Sequence, residues 1–266
     1  MHCHRDPTAC KHQLETKFKT FDRTLWLMYE REIAELRERI QSSADAWDAL
    51  GHIGPGATDE HLLTILRLRT FDVDRAAQLI LDQVAHRRKH GLDALADMTA
   101  SDVLGCDESV VAYFLPSWCD GIDRNGHPAY WIKMGRFEIH KVLEHTTFER
   151  LQTWHFRERE LMMRALRERN MSTITVVIDM SEWHLSLMTP SSMRWVTSLL
   201  LADTELLAAY VGRIAILNVP FLFSITWAAL SPFMTAATHQ KITLVSSAYC
   251  ARALLTELFD VLPDGY

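Results

Sequence analysis

Between Arg213 and Lys241 the chain carries no Asp, Glu, Lys or Arg. A segment without a polar side must be covered by a core, a bilayer or a lipid-like ligand. It opens on Ile214-Ala215-Ile216-Leu217, a run suited to a buried strand. Asn218 and Pro220 break that run, since proline lacks a ladder donor and restricts the residue before it. Phe221, Leu222, Phe223, Ile225, Trp227, Ala228, Ala229 and Leu230 follow, then Pro232. The β-branched run Ile242-Thr243-Leu244-Val245 reads as a further strand. A membrane-spanning helix needs about 20 apolar residues. Here Asn218, Pro220, Pro232, His239 and Gln240 interrupt the stretch and strand-like runs flank it. Two readings remain: ordinary core packing, or a hydrophobic lid over an apolar cavity.

The 266 residues suffice for one large domain, or a domain with a smaller helical attachment. Apolar residues make up 48%, enough to exclude general disorder. The net charge of −6 disfavours non-specific nucleic-acid binding. The five cysteines, at 3, 10, 106, 119 and 250, form no C-x-x-C pair and suit a reducing compartment. The first twelve residues lack the apolar core of a signal peptide, so a cytoplasmic location with peripheral membrane contact is expected.

Residues 1–20 read as a flexible tail. His2, Cys3, His4, Cys10 and His12 are metal-ligand types, but their spacing fits no paired-ligand pattern, and no metal or other cofactor is expected. Residues 21–91 read as a helical N-terminal region. Its first helix, 21–41, aligns Leu25, Met28, Ile33, Leu36 and Ile40 near one face. Residues 42–57 read as a glycine-rich linker whose glycine spacing is not a phosphate loop. Thr58 and Asp72 are N-cap candidates for the next two helices, and Gly91 a C-cap candidate with Arg87, Arg88 and Lys89 in the last turn.

From 92 onward the chain reads as a mixed, largely parallel α/β domain. Residues 92–116 are transitional, and Asn125-Gly126 marks a tight turn before a strand at 129–133. A charged helix runs from Thr147 to Arg169, with Glu160, Arg164 and Glu168 at i,i+4 spacing and a solvated arginine face. Thr173 to Ile178 is the clearest buried strand, ended by Asp179, which reads as a capping or turn residue. Thr189-Pro190 opens the next helix with proline at its favoured first position. Further strands are expected at 213–218 and 241–246, and a last helix around Leu254, Leu255 and Leu258. Alternating strands and helices of this kind build crossover units.

Three motifs carry a family resemblance. The first is Asn218-Val219-Pro220-Phe221-Leu222-Phe223-Ser224 with Pro232-Phe233 and Lys241-Ile242. The second is the leucine-rich block in which Arg67 and Arg69 precede Phe71-Asp72-Val73. The third is Asp123-x-Asn125-Gly126-x-Pro128-x-Tyr130. Together, in this order, they resemble the CRAL-TRIO lipid-binding family, which includes secretory phosphatidylinositol/phosphatidylcholine transfer proteins. The resemblance covers about residues 58–262; members commonly continue past the point where this chain ends.

The resemblance implies a CRAL-TRIO-like fold over 92–266 behind a helical region, a lipid ligand, and transient contact with a membrane surface. It implies that residues 221–237 form the mobile gate of a lipid pocket, and that the loop after Asp179 lines it. Opening the gate would expose Phe221, Phe223 and Trp227 to the membrane interface. The implied lipid-contacting residues are Tyr130, Phe221, Phe223, Trp227, Phe233, Thr238, Lys241 and Arg69. Thr238 and Lys241 match a polar pair that grips an inositol phosphate in relatives. Two other members of that set are missing: Ala209 stands where an acid is expected, and Thr70 follows Arg69 where a lysine is expected. Weak or absent phosphatidylinositol selectivity follows, with Tyr130 left to contact a phosphocholine head.

No G-x-S-x-G elbow, Walker loop, H-E-x-x-H or EF-hand loop is present, so no enzyme activity is expected. Asp179, Cys106 and Cys119 are the residues an undetected α/β hydrolase would draw on. A third reading keeps the fold as an interaction module whose cavity is filled by its own side chains.

Overall fold

The computed structural model describes residues 27–43, 46–47, 50–51, 56–203, 210–234 and 236–263. Side chains 200–203 and 236–237 fall outside that description, as do Leu25, the tail with its His and Cys residues, and Ala209.

The N-terminal region is built from helices α1 (Glu30–Gln41), α2 (Asp59–Leu68) and α3 (Val73–His90). Their ends follow from local chemistry. Thr58 Oγ1 accepts from the His61 amide and Asp72 Oδ1 from the Arg75 amide, each satisfying a donor that the helix start leaves open. Gly91 closes α3 at φ 58°, a left-handed conformation that costs a residue without Cβ little. In α1, Ile33, Leu36 and Ile40 are buried, but Met28 is 67% exposed because the packing helices begin to cover α1 only from Tyr29 onward. The expected linker is partly helical: Ala46 and Leu50 are fully buried and extend the same core.

The sheet has the order β1-β2-β3-β4-β5, from Ser117–Ile122, Pro128–Lys133, Ile174–Asp179, Val211–Leu217 and Ile242–Leu244. β1 pairs antiparallel with β2 across the Asp123–Gly126 turn, and the other pairs are parallel. The mixed, largely parallel α/β architecture is therefore the one expected. β1 completes the hairpin whose turn Asn125-Gly126 marks; its own bounds carry no sequence signal, because it is a mostly exposed edge strand without a clear apolar alternation. The strand expected at 241–246 is shorter, because Lys241 closes the preceding helix and Ser247 caps the next one.

Four longer helices accompany the sheet: α4 (Phe148–Glu168), α5 (Pro190–Asp203), α6 (Phe223–Leu230) and, after the short α7 (Ala236–Lys241), α8 (Ala248–Leu258). The transitional stretch forms short helices at Leu92–Leu95, Ala100–Leu104 and Ser109–Phe114, which pack with Leu151, Trp154 and Trp195. Glu160 and Glu168 remain electrostatic neighbours of Arg164 on α4, and longer-range pairs add to them. Glu160 takes Arg87 of α3 in two 2.8 Å hydrogen bonds, and Arg164 takes Asp97 at 2.8 Å. Arg159 and Glu160 are buried, so this part of α4 is an interface rather than a solvated face.

Strand alternation splits the sheet into two unlike faces. Ala129, Trp131, Val177, Ala215 and Leu217 point toward α8 and are 0% exposed. The opposite residues serve two cores. Tyr130, Ile174 and Val176 pack with the N-terminal helices, whereas Ile216 and Ile242 pack with Phe223 of α6.

Candidate functional site

The candidate site lies where β3 and β4 end beneath α6. Asp179 ends β3, and its Oδ1 accepts from the Ser181 amide at 2.9 Å and from Asn218 Nδ2 at 2.8 Å. It is thus a turn residue that ties two strand ends together. Asn218 adopts φ 54°, a left-handed conformation that turns the chain out of β4. The Val219 amide donates to Val245 O at 3.0 Å before Pro220 leads into the gate. The loop after Asp179 supplies Met180, Trp183 and Leu187. It can lie close because Gly135 has no side chain: a Cβ there would come within 1.6 Å of the Ser181 carbonyl.

α6 has an inner and an outer face. Phe223, Thr226 and Leu230 are buried, and Trp227 is half-buried. Phe221, Leu222 and Ile225 point outward at 82%, 48% and 59% exposure. Inside, rings follow one another from loop to gate: Trp183 meets Phe223 edge-on at 5.9 Å, and Phe223 meets Trp227 at 6.1 Å. Met134, Ile178, Met188, Ile214, Val219, Trp227 and Met234 are only partly buried around this cluster. Ile178 and Ile214 lie on inner strands, where their neighbours Val177 and Ala215 are fully buried. Ile178 and Ile214 also pack against the core shared with the N-terminal helices, so they lie where the two cores meet.

The polar groups sit at one edge. Thr238 and Lys241 lie on α7, both half-buried. Burial, and secondarily the nearby Arg67 guanidinium, lowers the Lys241 ammonium to about 8. Arg67 lies in the last turn of α2 and Arg69 is its C-cap, followed by Thr70 and Phe71 at φ 52° and 63°. The last turn of α2 thus comes near Lys241 through Arg67.

Of the expected lipid-contacting residues, the structure groups Phe223 and Trp227 inside, with Thr238 and Lys241 on the adjoining helix. Phe221 and Phe233 are exposed, so Phe221 needs no gate opening to reach a surface, whereas Phe223 is turned inward. Tyr130 is buried with Val176 and Met162 in the core shared with the N-terminal helices, apart from the gate cluster. Sequence reading pointed to the loop after Asp179, which holds Met180, Trp183 and Met188, without naming those residues, and it did not single out Met134, Ile178 or His239 for the site. The alternation of β3 was the signal for Ile178; nothing local marks the methionines.

Desolvation raises the thiol pKa of Cys106 and of Cys119, which disfavours the thiolate each would need as a nucleophile. Among the described residues no helix is long and apolar enough to cross a membrane.

Comparison with known proteins adds to this geometry. The CRAL/TRIO domain model matches residues 115–264. The phosphatidylinositol/phosphatidylcholine transfer protein SFH4 of Arabidopsis thaliana is 24% identical over 276 residues, covering 96% of this chain and 43% of that protein. SFH7 of the same plant is 25% identical over 208 residues, covering 75% and 37%. Patellin-4, also from Arabidopsis thaliana, is 24% identical over 242 residues, covering 88% and 43%. The chain spans about two fifths of the length of these curated relatives. Among solved structures, the crystal structure of Sfh5 superposes with a TM-score of 0.68 at 12% identity, covering 94% of this chain and 88% of that one.

Proposed function

The chain belongs to the CRAL/TRIO domain family, and from that premise we propose that it binds a lipid beneath α6 and exchanges it with membranes. The observation that carries the reading is the set of partly buried apolar side chains around α6: Ile178 and Ile214 of the sheet with Met134, Met188 and Trp227. A water-soluble carrier gains about 0.8 kcal/mol for each methylene it withdraws from water, so acyl chains would pack against them favourably. The names of SFH4 and SFH7 support a phospholipid as the ligand class.

Exchange needs no covalent step. The outward Phe221, Leu222 and Ile225 would meet the membrane interface while α6 moves aside and the ligand passes. Thr238 and Lys241, with Arg67 close by, would hold the head group at the rim. The missing acid at Ala209 and cation at Thr70 argue for weak phosphatidylinositol selectivity. Solvent extraction of the purified protein followed by mass spectrometry, together with vesicle-to-vesicle transfer, tests the reading. Stoichiometric phospholipid and measurable transfer are expected; an empty protein that moves no lipid would favour a ligand-free interaction module.

A further inference from the structure

The two ends of α6 are held differently. Its entrance is pinned to the sheet by Asn218 on Asp179 and by the Val219 amide on Val245. These bonds join the ends of β3, β4 and β5, so this end can pivot without leaving the sheet. The exit is the last turn, Trp227 to the C-cap Ser231: the Ser231 amide closes on Trp227 O, and Ser231 O accepts from the Met234 amide at 3.1 Å.

His239 of α7 engages that turn twice. Its ring meets Trp227 edge-on at 5.7 Å. Its Nε2 lies 3.2 Å from Ser231 O and 3.4 Å from Ser231 Oγ. A carbonyl only accepts, so Nε2 carries the proton and donates. Trp227 and Ser231 are four residues apart and therefore share one face of the helix. One imidazole thus holds both a ring and a backbone carbonyl of the same turn. α7 in turn runs directly into β5, where Ile242 pairs with Ile214.

We propose that His239 is a latch at the exit end of the gate, setting how often α6 opens about the Asn218–Pro220 hinge and hence how fast ligand is exchanged. The latch residue lies next to Thr238 and two residues before Lys241, so head-group contacts and gate closure act on one six-residue helix. The role in exchange rests on the lipid-transfer reading; the latch itself is a property of the fold.

The test combines amide hydrogen exchange with transfer of fluorescent phosphatidylcholine between vesicles, for the parent, His239→Phe and His239→Ala. Phenylalanine keeps the ring contact and loses the donor; alanine loses both. In His239→Ala the amides of 226–231 are expected to exchange about tenfold faster, equivalent to about 1.4 kcal/mol. His239→Phe should lie between, and amides of β3 should be unchanged. Transfer should quicken in the same order. Parent-like exchange in α6 of His239→Ala, or equal quickening in β3, overturns the latch. Faster exchange in α6 with no lipid moved by the parent upholds the latch and overturns the transfer reading.

Discussion

Acid should unlock the N-terminal helices from the sheet domain through His61. Its ring is fully buried and donates from Nδ1 to Gly56 O, so Nε2 is the acceptor for the Tyr210 hydroxyl at 2.9 Å. Burial outweighs the Gly56 hydrogen bond and lowers its pKa from 6.5 to about 4. A depressed histidine pKa means that the folded state refuses a proton which the unfolded chain accepts. Above pH 6.5 neither state binds it and stability is flat. Below 6.5 the unfolded chain gains the proton first, and stability falls until about pH 4. At 1.36 kcal/mol for each pH unit the full loss is about 3.4 kcal/mol, of which about 2 kcal/mol appears between pH 7.5 and pH 5. Urea unfolding of the parent and of His61→Gln across that range isolates the effect, because the other twelve histidines titrate in both proteins. The parent should lose about 2 kcal/mol more than the variant. A difference between the two that stays constant with pH would refute the buried neutral imidazole.

Glu160→Gln leaves the Arg87 guanidinium buried with its charge uncompensated on that side; a loss of about 3–5 kcal/mol is expected in urea unfolding. Phe223→Ala should cost about 3–5 kcal/mol, since the ring is buried, whereas Phe221→Asp should leave the unfolding midpoint nearly unchanged and slow vesicle transfer. Gly135→Ala forces a Cβ into the Ser181 carbonyl and should lower thermal stability sharply, with Trp183 fluorescence reporting the displaced loop. Lys241 loses its charge above about pH 8, so retention of anionic lipid should weaken from pH 7 to 9 in the parent and stay low throughout in Lys241→Ala. Competitive loading with phosphatidylinositol and phosphatidylcholine should show little preference for the former; a strong preference abolished in Lys241→Ala would mean that the two missing head-group residues were overvalued.

Much of the frame was legible in the residues themselves. Thr58 and Asp72 cap helices by bonding an amide three residues away, and Gly91 ends one by its own conformational freedom. Ile174 to Asp179 is a strand by composition and by the turn chemistry of Asp179. Such features depend on atoms within a few residues, so a pattern of types suffices to find them. The charge-free stretch likewise declared that something must cover it.

What covers it, and which way it faces, lay elsewhere. α6 and the turn before it are almost wholly apolar, so nothing in their own sequence directs Phe223 inward and Phe221 outward; Trp183 and Ile216, which pack against Phe223, decide that. Glu160 has Arg164 at i,i+4 but hydrogen-bonds Arg87, because a buried carboxylate needs a partner that comes into the same dry interface. Tyr130 matched a motif yet packs among the N-terminal helices, and His61 meets Tyr210 across 149 residues of chain. Local hydrogen bonding is determined by sequence neighbours, whereas burial is shared among segments that become neighbours only once the chain has folded.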